Sequence, residues 1–289
     1  MMLRKTINLL TFILLFSQIV SFGQEKSLLW EISGNGLKKP SYVFGTIHLI
    51  CRPDYIWSEK MTRAFDATDK ICLEMDLDDM DVMMEVSAGL MDKTGKKLSS
   101  YFSKSDYARL KAYMKDSAGM DISMLEMMKP VALQTMMVTK STSCDDAASY
   151  EDSLMKTAKS QGKELLGLES AKEQLDALES IPLDTVIAGI MDVVNGKENG
   201  EGEAEYRKLV AAYRDQDISL MQKLIVESEG LGGNAKTLVD DRNKKWIPFM
   251  GNMMKSNSVF FAVGAGHLAG KNGVISLLRA GGYTVKAVK

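Results

Sequence analysis

The sequence predicts an α/β fold of the α+β kind, a mixed β-sheet built from the N- and C-terminal segments with a large, mostly helical insertion. Three observations predict it. Short apolar runs separated by an Asn-Gly turn open the region after residue 24, as a hairpin would. Apolar residues recur at helical spacing from about residue 80 to 241. The last thirty residues then return to apolar runs broken by glycines.

In order, "SLLWEISG" and "SYVFGTIHLI" are two strands joined through "NGLKKP", where Asn35-Gly36 and Pro40 mark the turn. "MTRAFDATD" suits a helix and "KICLEMDL" a further strand. The middle reads as helices through "DVMMEVSAGLMDK", "KSDYARLKAYMKDSAG", "SMLEMMKPVALQTMMVTKS" and "EDSLMKTAKSQGK". "KELLGLES" interrupts them as one short strand before the helix "SAKEQLDALESI". "NGKENGEGEAE" reads as a polar loop ahead of the helix "YRKLVAAYRDQD". The C-terminal block "VFFAVGAGHLAGKNGVISLLRAGGYTVKAVK" reads as strand, glycine turn, helix and strand, with Gly281-Gly282 ending the helix. Strand, Gly-x-x-His, helix and strand thus occurs near residues 42–76 and again at 259–288, a weak repeat. Many of the 21 methionines fall in the helical middle, where core packing is the expected role and a groove for varied ligands the alternative.

The first 23 residues follow the order of a secretory signal peptide: Arg4 and Lys5, the apolar stretch 7–20, then Ser21-Phe22-Gly23. Cleavage before Gln24 would leave one domain, 24–289, with its helical insertion at about 80–241, and no transmembrane span. The expected location is periplasmic or secreted. The net charge of -2 excludes a general nucleic-acid footprint. Export matters for the three cysteines, because disulfides persist in oxidising compartments. Cys72 lies in an apolar run and reads as a buried thiol; Cys51 and Cys144 stand at loop edges and could pair.

Only two histidines occur, and each ends a Gly-x-x-His string: Gly45 to His48 and Gly264 to His267. Glycine at a strand end permits a tight turn and close backbone approach. Residues there face the crevice where open α/β sheets bind ligands. Neutral imidazole is a ligand for zinc, manganese or iron and also a general base. A hydrolytic metal site usually takes three protein ligands, so an acid is needed. Glu74 follows the strand "KICL" and Glu169 follows "ELLGL"; either could be a ligand, with the other as base. Asp76, Asp78, Asp79 and Asp81 suit a solvated helix start and lack the pattern of a calcium loop. Neither Gly-x-Ser-x-Gly nor a Walker motif is present.

"SYVFGTIHLI", "ICLEMDL", "GKELLGLES", "DDRNKKW" and the C-terminal block resemble the TraB/GumN family, relatives of the Tiki proteins, over about residues 28–289. The resemblance implies an α/β core with a helical insertion, related to erythromycin esterase and ChaN. It also implies a manganese- or cobalt-dependent protease acting on exported peptides; zinc is a further possibility. Its motif positions fall on Gly45, His48, Glu74, Gly264 and His267, with Glu169 and the Arg242-Asn243 pair also matching. Arg242 could clamp a substrate carboxylate or orient Glu74. The leading expectation is an exported metal-dependent hydrolase acting on a peptide or protein substrate. In it His48, His267 and Glu74 hold one divalent cation and Glu169 assists proton transfer. Two alternatives stand beside it: a metal-independent, histidine-based esterase-like hydrolase, and a non-catalytic protein that binds a peptide or haem.

Overall fold

The structure is a computed structural model that describes residues 26–141, 144, 146–196, 201–228 and 232–289. The expected signal peptide lies outside the described residues. The chain begins with the hairpin β1 (Leu29–Gly34) and β2 (Ser41–Thr46), antiparallel with Leu29 opposite Phe44. The short β3 (Ile50–Cys51), α1 (Glu59–Asp66) and β4 (Lys70–Leu73) follow. Then come α2 (Met80–Gly89), α3 (Lys104–Ala118), α4 (Pro130–Ser141), β5 (Ala147–Ala148) and α5 (Tyr150–Ser160). β6 (Glu164–Gly167) leads to α6 (Ala171–Glu179), α7 (Leu183–Val194), α8 (Glu201–Arg214) and α9 (Ile218–Glu227). A π-helical turn, Lys236–Asp241, runs into α10 (Arg242–Ser256), and β7 (Val259–Gly264), α11 (Val274–Ala280) and β8 (Tyr283–Ala287) close the chain.

Six strands form one sheet in the order β6-β4-β7-β2-β1-β8, so the two chain ends do build it together. β6, β4, β7 and β2 run parallel, and β1 alone pairs antiparallel with its neighbours β2 and β8. The central strands are apolar without alternation, as strands covered on both faces must be: β7 reads VFFAVG and is buried from Val259 to Val263. The repeat seen in the sequence is a repeat of topology. β2 passes through α1 to β4, and β7 through α11 to β8, each pair running in the same direction.

The helical middle divides. Tyr150 and Leu154 of α5, Tyr213 of α8, Met221 of α9 and Trp246 of α10 join the core around the sheet. Leu110 and Met114 of α3, Leu133 of α4 and Val186 and Ile190 of α7 form a second core of their own. A single helical layer over the sheet is therefore only part of the arrangement. Helix α8 starts at Glu201, inside the stretch expected as loop, because acidic residues are favourable in the first turn of a helix. The methionines divide between the core and the surface. Met61, Met114, Met137, Met221, Met250 and Met254 are buried, while Met80, Met84 and Met124 are exposed.

Candidate active site

The four parallel strands end at one edge in matched register: Leu73 pairs with Gly167, Cys72 with Phe261 and Thr46 with Gly264. The residues just past those ends therefore meet. Glu74 follows β4, Glu169 follows β6, His267 closes the turn after β7, and His48 stands two residues past β2. Gly45 is required by close approach: a Cβ there would lie 2.9 Å from the Ala265 Cβ and 3.0 Å from its Cα. Gly264 contributes its backbone, whose N–H donates to Glu74 Oε1 at 2.8 Å.

Arg242 organises the cluster from the junction of the π-helical turn and α10, a backbone irregularity often found at functional sites. Its Nη2 donates to Glu74 Oε2 and to Glu169 Oε1, both at 2.5 Å, and its Nε donates to both Glu169 oxygens at 3.0 and 3.1 Å. Nη1 reaches the Leu238 carbonyl at 3.1 Å and lies 3.3 Å from His267 Nε2. One turn along α10, Trp246 donates to Glu169 Oε2 at 3.1 Å, and its ring lies against that of His267 with centroids 4.5 Å apart. Both Glu169 oxygens are thus occupied by donors.

His267 is buried, and its bonds define its tautomer. Asn243 spends its amide hydrogens on the carbonyls of His267 and Asn272, which turns its Oδ1 toward His267 Nδ1 at 2.7 Å. Nδ1 therefore carries the proton, and Nε2 presents a lone pair 3.9 Å from Glu74 Oε1. Burial is the main cause that holds the His267 imidazole down at about 4, neutral at physiological pH. Burial would raise the Glu74 carboxyl, but His267, Arg242, His48 and the Gly264 N–H draw it down to about 2. Because His267 is neutral, the Arg242 charge, the raised His48 and the Gly264 N–H carry that direction. For Glu169, burial and the nearby Glu74 charge raise the carboxyl in spite of the Arg242 bonds.

His48 stands apart from the buried cluster. Its side chain is 70% exposed, and Nδ1 lies 3.2 Å from Glu151 Oε1 at the start of α5. The Glu151 hydrogen bond is the main cause that raises His48, with Glu74 a smaller contributor, so the ring lies within reach of the Glu74 charge. The Gly-x-x-His repeat thus places two histidines in unlike surroundings. Among the described residues, no three His, Cys, Asp or Glu side chains converge closely enough to hold an ion as they stand. The structure brings together Glu74, Glu169, Arg242, Asn243, Gly264 and His267, with His48 at the rim.

Sequence reasoning missed Trp246 and Glu151. Trp246 had a signal, since it stands four residues after Arg242 on one helix face. Glu151 had none, lying 103 residues from His48. The pairing of Cys51 with Cys144 that the sequence left open is present, and Cys72 is the buried free thiol.

The profile of the TraB/PrgY/gumN family matches residues 28–287. The chain is also similar to Metalloprotease TIKI2 of Danio rerio, at 23% identity over 322 aligned positions. That alignment covers 92% of this chain and 62% of the relative, so the chain spans less than two thirds of the relative's length. No solved structure matches the chain.

Proposed function

This chain belongs to the TraB/PrgY/gumN family, and we propose that it is an exported hydrolase that cuts peptide bonds with the aid of one divalent cation. The observation that carries the reading is the Glu74–His267 pair. A carboxylate oxygen and an imidazole lone pair face each other at 3.9 Å, each fixed by a further hydrogen bond. Glu74 and His267 would hold the ion there, in place of the Arg242 Nη1 that lies 3.3 Å from Nε2. The Asn243 bond to Nδ1 is the kind of support that metal-ligating histidines use. His48, from the adjacent strand, is the third expected ligand. When bound, such an ion supplies a Lewis acid and a readily ionised water.

The chain's own residues do the rest. Arg242 keeps the buried carboxylates charge-balanced, and its guanidinium can offset negative charge that develops on a substrate oxygen. Glu169 is the expected group to hold or return a proton, which it does only as an Arg242 or Trp246 donor gives up one of its oxygens. The name of the Danio rerio relative supports a peptide or protein substrate. The leader composition and the Cys51–Cys144 disulfide support export to the periplasm or medium. Among the described residues no helix is long and apolar enough to cross a membrane. Manganese or cobalt is the expected ion by family likeness, and zinc also suits nitrogen and oxygen donors.

Elemental analysis of protein purified without added metal, followed by peptide-library cleavage with and without manganese, tests the reading. We expect about one divalent ion per chain, lost in His48→Ala and in His267→Ala. Full occupancy in the double variant would rule the ligand assignment out. The His48–Glu151 pair favours a second reading, histidine-based hydrolysis without an ion, which cleavage surviving exhaustive chelation would select.

A further inference from the structure

We propose that Glu151 is the positioning residue of His48, holding its Nδ1 so that the imidazole works through Nε2. The contact is specific in its chemistry. Glu151 Oε1 lies 3.2 Å from Nδ1 and already accepts the Thr46 hydroxyl at 2.8 Å, so it meets the ring as a carboxylate oxygen that accepts. The proton between it and Nδ1 therefore belongs to the imidazole, and in the neutral ring the lone pair is on Nε2.

The carboxylate is fixed from two sides. Thr46, the last residue of β2, donates its hydroxyl to Oε1 at 2.8 Å, and Ser149 donates to Oε2 at 3.2 Å. Thr46 pairs with Gly264 across the sheet, so this support sits on the strand beside the His267 turn. Residue 151 also lies in the first turn of α5, where a negative charge is favoured.

Three cross-links bring the two segments together. β3, which begins two residues after His48, pairs with β5, which ends three residues before Glu151. The Cys51–Cys144 disulfide and the Arg52–Asp146 ion pair join the same two segments. Next to Glu151, Tyr150 is fully buried, and its hydroxyl accepts from the Ile56 N–H at 2.7 Å and donates to the Ile56 carbonyl at 3.0 Å. The start of α5 is therefore tied to the chain just beyond His48.

The use made of Nε2 rests on the function proposed above; the tautomer does not. Because the chain has only two histidines, a long-range nitrogen–proton NMR spectrum of the full chain labelled with 15N-histidine contains two rings, assigned by His48→Asn. With both rings neutral, His48 is expected to carry its proton on Nδ1. In Glu151→Ala the population should move to Nε2–H, and Glu151→Leu, which keeps the volume, should do the same if the alanine variant folds poorly. A wild-type His48 already protonated on Nε2, or one whose tautomer neither variant changes, would overturn the proposal. Manganese(II) alone, titrated into the same proteins, gives the second measurement: Glu151→Ala is expected to weaken binding about 10–100-fold. Equal binding by wild type and variant would count against positioning at the ion. A wild type that binds no manganese yet shows the expected tautomers would support Glu151 and reject the metal reading.

Discussion

The guanidinium of Arg242 lies between two buried carboxylates, Glu74 and Glu169, and against the open nitrogen of His267. Removing it leaves two like charges without water or a counter-ion, and that loss costs more than the pair itself contributes. Arg242→Gln is expected to destabilise the fold by about 3–5 kcal/mol in urea denaturation. Arg242→Lys should recover only part of this, since an ammonium lacks the planar fork. A loss under about 1 kcal/mol would mean the carboxylates find other partners or protonate. Another carboxylate contributes to acid stability at the far end of the sheet. Asp69 accepts from the Ser258 N–H at 2.8 Å and from Lys39 at 2.9 Å, which lowers its carboxyl. A depressed folded value gives stability that is present above the unfolded carboxylate range and lost as pH falls through the folded value. Asp69→Asn should therefore flatten the decline of thermal stability below about pH 4, with little change in slope near neutrality.

Helix α2 shows how far an element can follow its sequence without being buried. Asp79 caps it, accepting from the N–H groups of Asp81 and Val82, as the acidic run suggested. None of its ten residues is buried, and Met80 and Met84 face solvent. Met80→Ser and Met84→Ser are thus expected to shift unfolding free energy by no more than about 0.5 kcal/mol. Leu133→Ala, in the second core, should cost about 2–5 kcal/mol by the same measurement. Strands and helices were legible because periodicity and glycine punctuation are local signals. The same signals cannot say which methionines meet other helices. That depends on packing partners such as α4 and α7, which touch across a long separation in sequence.

For the whole molecule, the disulfide ties β3 to the segment ahead of β5 across 93 residues. In the chain-entropy account a closure of that length contributes about 4.5 kcal/mol. The folded protein should show no reactive thiol, because burial pushes Cys72 up and shields it. Denaturation without reductant should expose one thiol, and reduction three; two or more before reduction would mean the bridge is not formed. By itself the sequence determined the α/β class, the sheet made from both chain ends, and Glu74, Glu169 and His267 at its edge, while Arg242 and Asn243 rested on the family resemblance. Local patterns carry such information, because strand ends and their glycines are written in consecutive residues. Only the tertiary structure decided that the two Gly-x-x-His histidines differ, one buried and neutral on Asn243, the other exposed on Glu151. An imidazole takes its tautomer and charge from whatever lies within a few ångströms, and here those neighbours come from helices distant in the chain.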